Sequence, residues 1–185
     1  MRWPVKPVAV LAVTAAVTLA GCSHSVSGTA RRAELVVPDP TRSYGYAEDR
    51  CGLLVDSSVQ EEIGADHIVR PYSGAVCQYV LSRGSGTNGT APAMLIDVTF
   101  SWFETGDLDR ERVLAVERGA TVTEKIVERH QAFLARRDTT GVSCSATAAA
   151  GTGVLSWWVQ FRNRHDGDPC TDAEKLLSAT LQSDM

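Results

Sequence analysis

The chain has 185 residues, a formal net charge of -4 and 44% hydrophobic side chains. With a sequence pI near 5.5 and acidic and basic residues interspersed, no basic stripe argues for nucleic acid and no charge block for a solvated tail. The length suits one domain with a proper core and is short for two.

Arg2 and Lys6 open the chain, an uncharged run from Val8 to Ala20 follows, and small residues close it. This three-part layout predicts an export signal, and the run is too short for a bilayer span, which needs about 20 apolar residues. Leu19-Ala20-Gly21-Cys22 resembles the lipobox of bacterial lipoproteins. That resemblance implies a signal peptide over 1–21, acyl chains such as palmitate on Cys22, and an anchor in the extracytoplasmic face of the cell membrane. Two acyl chains, at roughly 0.8 kcal/mol per buried methylene, hold a protein stably. The alternative is an ordinary signal that leaves Cys22 unmodified or removes it.

Setting Cys22 aside leaves Cys51, Cys77, Cys144 and Cys170 in an oxidising compartment. Four cysteines allow three connectivities, and sequence does not choose among them. Locality favours Cys51 with Cys77 and Cys144 with Cys170, since each pair belongs to one helix and strand unit. Each closure is then worth roughly 3 to 4 kcal/mol in the chain-entropy model. No two of these cysteines are close and no His stands at ligand spacing, so neither zinc nor any other cofactor is expected.

Residues 22–50 are rich in Ser, Thr, Gly, Pro and charge, and read as a flexible tether to a domain over 51–185. Leu35-Val36-Val37 is the one apolar exception, with the makings of a short edge strand. Ser57 with Gln60 gives a capping-box start for a helix from about Ser58 to Ile63, stopped by Gly64. Pro71 to Gly74 is a turn, Val76 to Leu81 a strand, and Arg83 to Thr90 a hairpin loop dense in turn formers, its Asn88-Gly89-Thr90 sequon read as a plain turn. Met94 to Phe103 alternates strictly, Ile96, Val98, Phe100 and Trp102 on one face and Asp97, Thr99 and Ser101 on the other, which marks a half-buried strand. Leu108 to Arg118 is a helix with Leu108, Ala115 and Val116 inward, capped by Glu104 or Asp107 and ended by Gly119. Short strands follow at Val122 to Val127 and Gln131 to Leu134. Cys144 to Ala150 and Val154 to Phe161 form a hairpin, and Pro169 starts an amphipathic closing helix carrying Ala173, Leu176, Leu177 and Leu181. The fold class is α+β: one domain, an antiparallel sheet packed against two or three helices, stabilised by disulfides.

Cys51-Gly52-Leu53-Leu54, Gly74-Ala75-Val76-Cys77-Gln78-Tyr79, Phe100-Ser101-Trp102-Phe103-Glu104 with Glu111-Arg112, Trp157-Trp158-Val159 and Cys170 followed by Ala173 and Leu176 carry a family likeness. With the lipobox, this order of cysteines and tryptophans resembles mycobacterial lipoproteins of the LprB and LprC kind, an actinobacterial family whose domain has no assigned function. Tyr79 stands where that family usually has Trp. The resemblance implies an envelope location and a compact α+β domain, and carries over no catalytic residue.

No Ser lies in a Gly-x-Ser-x-Gly turn, His24 and His67 are isolated, and His130 sits among charges. His165-Asp166-Gly167-Asp168 has too few oxygen ligands for a calcium loop and reads as a solvated turn. The aromatics are more informative. Trp102 and Phe103, and Trp157 and Trp158, are adjacent on strands and point to opposite faces. If one face carries the core, at least one member of each pair faces outward as a binding candidate; the alternative is that the Leu108 helix, the Leu177 helix and loops cover both faces. The expected function is a non-catalytic binding module for a lipid, a glycan or an envelope protein. A cell-wall enzyme, or a structural accessory subunit of an envelope complex, is the alternative.

Overall fold

In the computed structural model residues 36–84, 93–138, 142–163 and 167–183 are described, all within a compact unit spanning Glu34–Met185. The order is α1 (Asp56–Ile63), β1 (His67–Tyr72), β2 (Val76–Arg83), β3 (Met94–Phe103), α2 (Leu108–Glu117), β4 (Thr121–Val127), β5 (His130–Arg137), β6 (Val142–Ala150), β7 (Gly153–Phe161) and α3 (Pro169–Gln182). The seven strands form one antiparallel sheet in the order β1-β2-β3-β7-β6-β5-β4. Two meanders therefore meet at the β3–β7 pair, and the link between them carries α2 from the sheet centre to its far edge. Among the described residues no helix is long and apolar enough to cross a membrane.

The core lies on one face of the sheet. Ile96, Val98 and Phe100 of β3 and Leu155, Trp157, Val159 and Phe161 of β7 are buried there, and Leu176 and Leu177 of α3 cover them. Alternation along β3 and β7 dictates this, because side chains of period two load one face with apolar groups. Trp157 is central: its Nε1 donates to Thr180 Oγ1 at 2.8 Å, and its ring lies 4.9 Å from Phe100 and 6.2 Å from Tyr79 between centroids. Burial pushes the Tyr79 hydroxyl up to about 12. Arg83 ties helices to sheet, donating from Nη2 to the Ile63 carbonyl and to Asp172 Oδ2.

The cysteines join as Cys51–Cys77 and Cys144–Cys170, with Cα atoms 6.2 and 4.9 Å apart. The first bridge fastens the segment before α1 to β2, and the second fastens the start of α3 to β6. Both span 26 residues of sequence.

Several expectations are corrected. The chain packs from well before Cys51: Tyr44 is fully buried against the core, so residues 36–50 are not a free tether, while 22–35 lie outside the described residues. Val36 and Val37 join no strand. The helix starts at Asp56 with Val55 as N-cap and no side-chain cap; Ser57 lies inside it, and Gln60 works at the other end, its Nε2 donating to the Ala65 and Asp66 carbonyls. Gly64 ends α1 in the left-handed conformation, at φ 66°. Pro71, expected in a turn, belongs to edge strand β1 where the pairing register shifts, a position at which the missing N–H is tolerated. Asp107 caps α2 by accepting from Arg110 N at 2.8 Å, but Val116 faces solvent at 56% exposure and α2 has no buried residue. Cys22, His24, the Asn88 sequon, His165 and Asp166 lie outside the described residues. Asp168 is the N-cap of α3, accepting from Cys170 N and Thr171 Oγ1 and pairing with Arg136 at 2.8 Å.

Candidate functional site

The second face of the sheet is organised in registered rows. Ser143 and Arg137 pair beside Gln160; then come Trp158, Ser145 and Ala135; then Ser101, Ser156, Thr147 and Phe133; then Phe103 and Val154. Helix α2 crosses above β4, β5 and β6, presenting Glu111, Ala115 and Arg118 at helical spacing i, i+4 and i+7. Sheet and helix do not close on each other. Between them lie two adjoining cavities, of about 190 Å³ toward Arg137 and Ser143 and about 250 Å³ toward Phe103 and Val154, sharing Ala115, Arg118, Ser145 and Trp158.

Trp158 is half-buried on the floor, and Phe103 stands 47% exposed at one end. Phe133 is buried beneath. Thr147 Oγ1 and Ser156 Oγ share a hydrogen bond of 2.8 Å, so the floor keeps hydroxyls beside its aromatic rings. An aromatic plane, small hydroxyls and a guanidinium edge offer stacking and hydrogen bonding together, as small-molecule sites do. The loose roof adds to this: α2 exposes Val113 at 53%, and its Arg112 pairs within the helix with Asp109 and across to Glu124 of β4.

Of the four aromatics singled out by sequence, the structure brings Phe103 and Trp158 to this groove. Trp157 is instead fully buried in the core, because its neighbours at two-residue spacing, Leu155 and Val159, share its face. Trp102 is half-buried, 5.5 Å from the Tyr44 ring. Ser156 and Gln160 flank Trp158 at the same spacing, and that polar alternation was the available signal for which tryptophan faces out. Arg118, Arg137 and Phe133 were not foreseen.

Two further hollows are less suited. One of about 270 Å³ beside Val37 and Gly153 has no aromatic lining, and one of about 470 Å³ between Ile126 and Lys175 is a trough of mixed charge. Among the described residues no three His, Cys, Asp or Glu side chains gather as metal ligands.

A polar cluster near the groove is structural. Asp39 Oδ1 accepts from His130 Nε2 at 2.9 Å and from Gly151 N at 3.1 Å, while Oδ2 accepts from Tyr44 OH. His130 is itself buried, with its Nδ1 2.8 Å from the Glu128 carbonyl oxygen. Gly151 sits at φ 52° in the β6–β7 turn, where an added Cβ would run into the Arg42 carbonyl. This clasp fastens residues 39–44 to the sheet. Burial pushes the Asp39 carboxyl up, but hydrogen bonds from Tyr44, Gly151 and His130 outweigh it and hold the group below 3.8. A depressed folded value gives stability that is present above the unfolded value and lost as pH falls through the folded one. Asp39→Asn is therefore expected to cost roughly 1 to 3 kcal/mol at pH 7. In urea melts the gap between variant and parent should shrink as pH drops below about 3.8; a gap that stays constant assigns the loss to something other than the carboxylate.

Fold and groove define a class: a small disulfide-stapled α+β domain with one sheet face filled by its core and the other roofed loosely by a helix. The chain belongs to the family described as "Protein of unknown function (DUF3558)", whose model matches residues 17–183. No curated protein and no solved structure matches it.

Proposed function

We propose that this protein is a lipid-anchored module of the bacterial cell envelope that binds a ligand in the groove between α2 and the outer sheet face. The observation that carries the binding reading is Trp158, held half-exposed on the floor with a cavity on either side. A solitary surface tryptophan needs no explanation, but one set under a helix that buries none of its residues does. The anchor rests on the Leu19-Ala20-Gly21-Cys22 pattern and agrees with two disulfides, which persist in oxidising compartments. The likeness to LprB and LprC lipoproteins supports the same location.

Metabolic labelling with an alkynyl fatty acid is expected to mark the chain and to leave Cys22→Ser unmarked; an unmarked parent chain in the membrane fraction overturns the anchor. Native mass spectrometry of the full chain from its own envelope should retain a small-molecule adduct that Trp158→Ala loses. An adduct absent from the parent, or kept by the variant, removes the groove reading.

A further inference from the structure

We infer that the groove selects an amphipathic anion, with a carboxylate or phosphate head between Arg118 and Arg137 and a flat or slender apolar body along Trp158 toward Phe133 and Phe103. This rests on the groove being the ligand site and adds the chemistry of what enters it. Arg118, at the end of α2, and Arg137, at the end of β5, both line the smaller cavity. Neither makes an ion pair among the described residues, whereas their neighbours Arg112 and Arg136 are each held by two carboxylates. Two arginines without a carboxylate partner among the described residues leave the positive charge of this hollow uncompensated, and an anion placed there offsets it and accepts their N–H forks.

The other end of the groove is different. Phe103, Phe133 and Val154 line the larger cavity with Glu111 on the helix above. Arg118 is common to both cavities, but only the smaller adds Arg137 and only the larger adds Glu111, so charge and apolar lining agree on one orientation, head toward Arg137 and body across the Trp158 ring. The cavities, about 190 and 250 Å³, suit a head and a body of a few rings or a short chain.

The full chain in phosphatidylcholine nanodiscs, referenced to empty discs, is titrated calorimetrically with 2-naphthoate, with 2-naphthalenemethanol (the same rings without charge) and with acetate (the charge without rings). Binding of 2-naphthoate at least tenfold tighter than of either control is expected. The double variant R118Q/R137Q, altered at positions outside the core, should lose that tenfold preference and keep its affinity for the alcohol. If alcohol and naphthoate bind alike and Trp158→Ala weakens both, the groove stands and the anionic head is wrong. Acetate binding as tightly as naphthoate overturns the apolar body. If no probe binds, the groove itself is not the site.

Discussion

Removing both disulfides, by Cys51→Ala with Cys77→Ala and Cys144→Ala with Cys170→Ala, is expected to unfold the domain at 25 °C. Each bridge closes a loop with its ends 26 residues apart, and the two loops do not overlap along the chain. Their constraints on the unfolded state therefore add. At about 3.5 kcal/mol per loop in the chain-entropy model, the pair is worth about 7 kcal/mol. Whole-domain stabilities run from about 5 to 15 kcal/mol, so this loss takes from about half to all of it. Either bridge alone should cost about half as much and leave a cooperative urea transition at a lower midpoint. The bridges also differ in access. Cys51, Cys77 and Cys144 have no exposed surface, while Cys170 is half-buried at the start of α3. A thiolate must reach a sulfur to exchange with it, so mild reductant on the folded domain should open Cys144–Cys170 first. A four-alanine variant that melts within about 2 kcal/mol of the parent defeats the chain-entropy argument.

Legibility followed the range of the interaction. The strand Met94–Phe103 was readable to the residue because its alternation is strict and its register neighbours repeat it. The β6–β7 hairpin was readable because a two-residue glycine turn separates two runs of the right length. β1 was missed because Pro71 is a turn signal whose meaning changes at a sheet edge, and only the strand order reveals that edge. The domain extends further toward the N-terminus than composition implies, for a similar reason. The Pro, Ser and Thr content of residues 22–50 is that of a linker, yet Asp39 finds His130 at a sequence distance of 91 and the Arg42 guanidinium donates to the Ser183 carbonyl 141 residues away. Composition carries no trace of such partners. The groove was half legible: outward aromatics follow from adjacency on a strand, but the roof depends on α2 crossing from the centre of the sheet to its edge, a choice made by topology. The apolar positions of α2 face the sheet only in part, Ala115 lining the groove and Val116 exposed, because that helix covers a face with hydroxyls on it and burial does not enforce an apolar stripe there.

Trp157→Ala and Trp158→Ala are expected to have opposite consequences although the residues are adjacent. Trp157 is fully enclosed by Phe100, Tyr79 and α3, and truncating an aromatic of that size in a core costs roughly 3 to 5 kcal/mol. Its Nε1 bond to Thr180 Oγ1 is lost as well, leaving a buried hydroxyl oxygen without its donor, about 1 kcal/mol more. Trp157→Phe keeps most of the volume and forfeits the hydrogen bond, so about 1 to 2 kcal/mol is expected. On the opposite face, Trp158 already borders open cavities. Its removal enlarges a space that solvent or ligand fills, and the expected stability cost is below about 2 kcal/mol, with the effect appearing in binding. Urea midpoints of the three variants separate the roles, because equal losses for Trp157→Ala and Trp158→Ala would mean that both faces of the sheet are core. A large loss for Trp157→Ala alone places the stability of the domain on one face of β7 and leaves the other free to serve the groove.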